Sequence, residues 1–186
     1  MLPARMLPAA LLMISASAAL AHDGHGGGGM AAGLAHPFTG ADHLLAMIAV
    51  GLFAGMRGGR ALWAWPLAFV GAAGLGFLAA RYGLSLPMTE PMVLASVLVL
   101  GLVIAAAKPL DLGAGIALVA TFGGFHGLVH AGEAGSQSIA AFAAGFLIAS
   151  AVLHGAGIGL YLLAGGKFAR LAGAATAVGG LALALA

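Results

Sequence analysis

The stretch HPFTGADHLLAMIAVGLFAG, residues 36–55, joins three ionisable side chains to an apolar run of membrane-spanning length. These side chains, His36, Asp42 and His43, stand at the start of the run. Lipid offers the backbone no hydrogen bonds, so a run of about 20 apolar residues crosses it as a helix. Because an ionisable group at such a position is costly, its presence indicates a functional site.

A second stretch, FHGLVHAGE at residues 125–133, repeats this combination at the end of another apolar run. His126 and His130 are four residues apart and therefore share one face of a helix. Glu133 follows them directly. Imidazole and carboxylate groups together form a common ligand set for divalent transition metals. The two stretches therefore predict a membrane protein that handles a metal ion.

The composition agrees with a chain surrounded by lipid. Hydrophobic residues make up 62% of the 186 residues and charged residues only 6%, against about 25% charged residues in a soluble domain. The chain has no basic patch, which argues against a nucleic-acid partner. It has no cysteine, which excludes thiolate metal sites and disulfides. We therefore predict an all-α fold without a prosthetic group, in which nitrogen and oxygen atoms bind a transient metal ion.

Six apolar stretches follow the N-terminal segment, and each has about the length that crosses a bilayer. The breaks between them are short, so no soluble domain is inserted. We predict a polytopic membrane helical bundle with six transmembrane helices, formed by residues 34–186. The predicted spans are 37–56, 61–81, 88–107, 110–130, 137–163 and 168–186.

Residues 1–21 have the pattern of a cleaved signal peptide. Arg5 supplies the positive start, a short apolar core follows, and residues 19–21 form an Ala-x-Ala cleavage site. The alternative is an uncleaved first helix, but the apolar core is short and Pro8 interrupts it. Residues 22–33 are rich in glycine and histidine and are predicted to form a flexible external segment.

The basic residues predict the orientation of the bundle. With the N-terminus outside, the breaks at 57–60, 107–111 and 164–170 face the cytoplasm. They carry five basic residues, whereas the outer breaks carry only Arg81. This is the positive-inside distribution. It places both polar stretches at the periplasmic side of a bacterial inner membrane.

This topology brings the two polar stretches to one end of the bundle. Pro37 and Gly40 argue against a regular helix at His36, which we expect on a turn that folds back toward Asp42. Asp42 either binds the metal directly or orients a ligating histidine. The predicted metal ligands are His36, Asp42, His43, His126, His130 and Glu133.

Two further polar residues are weaker candidates for the metal path. Glu90 lies at the outer start of the third span and is either a neighbour of the ligands or an ordinary helix-start acid. His154 lies deeper, in the fifth span, and is the residue best placed to relay an ion inward. The alternative for His154 is a hydrogen bond to a neighbouring helix, for which Ser150 is one turn away.

Three other residues complete the weaker candidates. His22 and His25 would lie at the mature N-terminus, where they either chelate a divalent ion or belong to a flexible tail. Met47 follows His43 by one helical turn, and the alternative to metal binding is simple packing.

The small residues and one further acid have structural interpretations. The spacings Gly51 to Gly55 and Gly155 to Gly159 predict helix-packing surfaces, which also permit an oligomer. Asp111 is predicted to cap the fourth span on the cytoplasmic side.

At its polar stretches the chain resembles the HupE/UreJ family of nickel and cobalt permeases. The pattern H-x5-D-H matches residues 36–43, and F-H-G-x-[A/V]-H-G-x-E matches residues 125–133. Ala131 replaces the usual glycine and leaves the ligands in place. The resemblance covers essentially the whole mature chain. It implies uptake of Ni²⁺, sometimes Co²⁺, for hydrogenase, urease or cobalamin production.

The sequence favours a non-enzymatic permease that works by facilitated diffusion, since it contains no nucleotide-binding motif. The outer cluster would capture the ion, and cytoplasmic metallochaperones would receive it. One alternative is an intramembrane metal-dependent hydrolase with Asp42 or Glu133 as its base. Others are a metal sensor or delivery protein without transport, and a Cu(I) permease.

Overall fold

A computed structural model describes residues 29–108, 110–134 and 138–185, and within these residues the chain forms helices and turns without a strand. The prediction of an all-α helical bundle is confirmed. The predicted signal peptide, His22 and His25 lie outside the described residues. The helices are α1 (Met30–Thr39), α2 (Ala41–Arg57), α3 (Ala61–Arg81), α4 (Thr89–Ala105), α5 (Leu112–His130) and α6 (Ile139–Leu185), with a 3-10 turn at Gly132–Ala134.

The helices α1 and α2 meet at Gly40 with a bend of 85°. Gly40 is extended (φ −96°, ψ 127°) and so interrupts the helical path. The expectation that His36 lies on a turn was wrong, because His36 and Pro37 both belong to α1. Packing explains the difference: Gly33 in α1 lies directly on the backbone of Phe142 in α6. This contact holds α1 helical up to Thr39 despite the proline.

The helix α6 is two helices joined at Gly165, where φ is 76° and ψ is −177°. Glycine tolerates this positive φ without steric cost. Residues 139–164, which we call α6a, run parallel to α2. Residues 166–185, which we call α6b, return along α4, where Gly101 packs on Gly173. The break lies between the fifth and sixth predicted spans.

Three helical segments are long and apolar enough to cross a membrane: Ala61–Arg81, Leu112–Ala134 and Ile139–Leu185. The bent pair of α1 and α2 makes a fourth when it is taken as one span, and α4 is apolar but shorter. The first predicted stretch, 37–56, crosses the bend from the end of α1 into α2. Each of the other five corresponds to one helix or, for α6, to one of its halves. Large apolar side chains such as Leu163 and Leu185 are exposed on the outside of the bundle, as contact with lipid requires.

Close backbone contacts hold the helices in register. A Cβ atom on Gly51 of α2 would lie 2.1 Å from the carbonyl oxygen of His154 in α6a. A Cβ atom on Gly123 of α5 would lie 2.3 Å from the carbonyl oxygen of Phe69 in α3. Such contacts require glycine and suit helix pairs in lipid. By contrast, Gly155 and Gly159 have no atom within 4 Å, so the prediction that they form a packing surface within this chain was wrong.

The two ends of the bundle differ in charge. At one end, Arg57 Nε donates to the carbonyl of Leu110 at 3.2 Å, and Arg170 Nε donates to the carbonyl of Ala105 at 3.1 Å. Asp111 at this end caps α5 by accepting from the amide of Ala114 at 2.8 Å, as predicted. The opposite end carries the bend at Gly40 and the 3-10 turn, and with them most of the histidines.

Candidate metal centre

Three histidines from three helices converge at the end of the bundle that carries the bend. Because α1 turns back at Gly40, the ring of His36 lies 5.0 Å from that of His43 and 4.7 Å from that of His130, measured between ring centroids. The rings of His43 and His130 are 4.3 Å apart. One ligand nitrogen of each histidine lies within 4.8 Å of the others. We call these three residues the histidine cluster.

Glu133 closes the histidine cluster from its outer side. Its Oε2 lies 3.0 Å from Nε2 of His36, and its Oε1 lies 3.0 Å from Nδ1 of His130. The 3-10 turn that follows α5 brings this carboxylate back over the imidazoles. The side chain of Glu133 is 43% exposed, whereas that of His130 is only 2% exposed. A carboxylate so placed can meet an ion at the surface and pass it to buried nitrogens.

Asp42 contacts one member of the cluster and fixes its orientation. Its Oδ1 accepts from Nδ1 of His43 at 2.6 Å and from the amide of His43 at 2.9 Å. With the proton on Nδ1, Nε2 of His43 presents its lone pair to Nε2 of His130, which it faces directly. Either Nε2 of His130 donates its proton to this lone pair, or a cation shared by the two nitrogens takes the place of that proton. This geometry supports Asp42 as the orienting carboxylate, one of its two predicted roles.

His126 lies one turn deeper than His130 on α5 and is fully buried. Its Nδ1 donates to the carbonyl of Phe122 at 2.9 Å. Its Nε2 has no hydrogen-bond partner. The ring centroid lies 5.6 Å from that of His43 and 6.0 Å from that of His130. His126 is therefore next to the histidine cluster with a free lone pair, but it is not one of the three converging residues.

Nε2 of His126 has no hydrogen-bond partner. Nε2 of His36 and Nδ1 of His130 have no neighbour with hydrogen-bond angles, although each lies 3.0 Å from a carboxylate oxygen of Glu133. Buried polar groups normally find partners, so unpaired ones require an explanation. Coordination of a divalent ion would satisfy these nitrogens, and imidazole with carboxylate is a suitable donor set.

A cavity of about 420 Å³ and a smaller one of about 270 Å³ lie at this end of the bundle. The smaller cavity is lined by Asp42, His43, His130 and Glu133, and Glu90 stands on its wall. Glu90 also lines the larger cavity. The structure thus places Glu90 at the mouth of the site and outside the histidine cluster.

His154 and Met47 lie away from the cluster. His154 is fully buried in α6a, and neither of its ring nitrogens has a hydrogen-bond partner. The predicted alternative of a bond through Ser150 is wrong, because the Ser150 hydroxyl donates to the carbonyl of Phe146 at 2.8 Å. Met47 is fully buried in the apolar core, one turn below His43.

Aromatic rings pack around the imidazoles in an arrangement that the sequence did not predict. Phe146 lies 5.3 Å from the ring of His130, and Phe142 lies 5.7 Å from that of His36. Phe69 lies 5.2 Å from the ring of His126. In the sequence, these phenylalanines stand in apolar runs and look like any residue that faces lipid or core. Their closeness to histidines depends on how the helices pack.

Comparison with known proteins gives one family. A family model described as HupE / UreJ protein matches residues 10–183. Protein HupE of Rhizobium leguminosarum bv. viciae is 42% identical over 172 residues, which are 90% of this chain and 90% of that protein. No solved structure matches the chain.

Proposed function

Because this chain belongs to the HupE/UreJ family, we propose that it carries Ni²⁺, with Co²⁺ as the second candidate, inward across a bacterial inner membrane. Family membership supports metal transport in general, and the apolar helices make the chain a multi-pass membrane protein. The proposal adds the metal, the direction and the mechanism of facilitated diffusion. Cytoplasmic metallochaperones that mature hydrogenase or urease, or that serve cobalamin synthesis, would receive the ion.

The observation that carries this proposal is the histidine cluster with Glu133. Three imidazoles from separate helices bring one ligand nitrogen each within 4.8 Å of the others. Two of these imidazoles each have a nitrogen 3.0 Å from the same carboxylate, that of Glu133. A lipid-embedded protein keeps such a costly arrangement only where an ion or proton uses it.

The charge at the two ends supports an orientation with the histidine cluster on the periplasmic side. The end opposite the cluster carries Arg57, Lys108, Lys167 and Arg170. Basic residues collect on the cytoplasmic side of inner-membrane proteins. The histidine cluster then faces the periplasm, where it meets the incoming ion.

Release matters as much as capture in such a path. A site that holds an ion too tightly cannot conduct it. The half-exposed Glu133 and the buried imidazoles of His43 and His126 form steps of increasing depth. An ion can exchange one ligand at a time along these steps while water completes its shell. Sequestration in the cytoplasm then gives the flow its direction.

The test is metal uptake by proteoliposomes that contain the purified full chain. We expect the wild type to accumulate Ni²⁺, with competition by Co²⁺, and His130→Ala to abolish uptake. Thr121→Ala is the matched control, since Thr121 is an exposed residue of the same helix whose hydroxyl donates only to the carbonyl of Ala117. Preference for Zn²⁺ or Cu⁺ would refute the nickel assignment. Binding without flux would favour a sensor or delivery protein, and metal-dependent hydrolysis would favour an enzyme.

A further inference from the structure

The ring of Phe69 in α3 stands between two buried histidines. Its centroid lies 5.2 Å from that of His126 and 5.1 Å from that of His154. Among the described residues, Phe69 is the one aromatic side chain that contacts both. It is fully buried. An ion that travels from His126 to His154 therefore meets this ring.

The two sides of Phe69 differ in chemistry. On the outer side, His126 continues into the histidine cluster through its neighbour His43. On the inner side, His154 is alone, and both its ring nitrogens lack a hydrogen-bond partner. A fully buried imidazole without any partner destabilises the fold unless something else binds it. Nε2 of His126 and both ring nitrogens of His154 are thus available to bind an ion on opposite sides of the Phe69 ring.

The backbone at Phe69 is fixed by its packing on α5, so any opening at this position has to come from the side chain. The carbonyl of Phe69 packs against Gly123 of α5, where even a methyl group would clash at 2.3 Å. One turn later, Ala73 packs in the same way on Gly127. Movement of α3 against α5 would break these contacts. Rotation of the Phe69 ring would not.

We propose that Phe69 is the barrier of the transport path, a ring that must rotate aside before an ion held at His126 reaches His154. This inference rests on the proposed transport function and adds the position of its gate. An apolar constriction opposes the passage of a hydrated ion. The face of the ring attracts a cation that has shed part of its water. Phe69 thereby sets the rate and the selectivity of passage without taking part in capture.

The test is a size series at this position: Phe69→Ala, Phe69→Leu and Phe69→Trp, compared in equilibrium Ni²⁺ binding and in proteoliposome flux. We expect binding to stay unchanged in all three variants. Flux should follow the inverse order of side-chain size. In Phe69→Trp it should fall by at least about tenfold, which corresponds to about 1.4 kcal/mol of added barrier. In Phe69→Leu and Phe69→Ala it should rise several-fold, and Mg²⁺ should begin to leak through Phe69→Ala.

The matched controls are Phe77→Leu and Phe77→Trp. Phe77 lies two turns later on α3 and is equally buried, and its aromatic contacts are Phe142 and Phe146 rather than an imidazole. These variants should lose stability as the Phe69 variants do but keep the wild-type flux. If Phe69→Ala does not fold, the leucine and tryptophan variants carry the comparison.

Two results would overturn the barrier. If the wild type transports metal but flux does not depend on the size of residue 69, Phe69 is not the barrier. The same holds if flux changes equally in the Phe77 controls. Either result would leave the proposed transport function standing. Absence of any metal flux in the wild type would instead refute the proposed transport function, and the barrier with it.

Discussion

Asp42 contacts the histidine cluster through His43, which supports the orienting role over direct coordination. Its carboxylate accepts the Nδ1 proton at 2.6 Å and so keeps the lone pair of Nε2 directed at the histidine cluster. Carboxylates in this position strengthen metal binding by orienting the imidazole and raising its basicity. Removal of Asp42 would also take away a negative charge that favours a bound cation at the histidine cluster.

This geometry predicts the effect of Asp42→Ala. Loss of the orienting carboxylate should weaken Ni²⁺ binding about 10–100-fold, measured by equilibrium binding to the purified protein. His43→Ala should abolish binding at the cluster. Asp111→Ala is the control at the opposite end: it removes the cap of α5, which costs about 1 kcal/mol of stability, and should leave the affinity unchanged. Equal loss in Asp42→Ala and His43→Ala would make Asp42 a ligand itself.

Some residues of the site could be identified from sequence patterns, and others could not. The histidines and acids were recognisable because ionisable groups are rare in apolar runs. His36, His43 and His130 could be placed together from topology alone. The protonated nitrogen of His126 could not, because it depends on a bond to the Phe122 carbonyl. Nor could Phe69, because a phenylalanine in an apolar run carries no sign of the histidines beside it.

At the scale of elements, glycine contacts set how closely α2 approaches α6a. The position of His154 depends on this contact, since Gly51 lies against its backbone. A break between His36 and Asp42 was predicted, but its position, the bend of 85° at Gly40, was not, for a related reason. Pro37 and Gly40 are valid signals of a break, but the packing of Gly33 on Phe142 decides that the break comes at Gly40 and not at His36.

A methyl group at this contact should separate the two helices. Gly51→Ala should destabilise the protein by about 1–3 kcal/mol through overpacking, seen as a lower thermal midpoint in detergent. Gly155→Ala in α6a meets nothing within 4 Å and should be neutral or gain up to about 1 kcal/mol of helix propensity. Equal midpoints for the two variants would contradict this account of the helix contact.

At the scale of the whole molecule, the two ends of the bundle differ in the side chains that they bring together. The bend at Gly40 and the 3-10 turn assemble donor groups at one end, while arginine side chains close helix ends at the other. The six helical stretches were predictable from their length and hydropathy, since lipid imposes both. Their pairing was not, because it depends on which small residues face each other.

Orientation can be measured because the natural chain contains no cysteine. Ser85→Cys lies in the α3–α4 connection at the cluster end, and Ala106→Cys lies at the opposite end; both positions are exposed. In intact spheroplasts, a membrane-impermeant maleimide should label Ser85→Cys and spare Ala106→Cys. Disruption of the membrane should make both reactive. The reverse labelling pattern would place the histidine cluster in the cytoplasm.

The docking of α1 on α6a has a consequence for the order of biosynthesis. His36 is made early, but the surface that holds α1, at Phe142 and Gly145, is made much later. Because the ribosome delivers the chain from its N-terminus, His43 and His130 are in the membrane before His36 can take its place beside them. The site is therefore completed only after the fifth helical stretch has been inserted, and a nascent chain truncated before α6a would carry most of the ligands without the geometry that unites them.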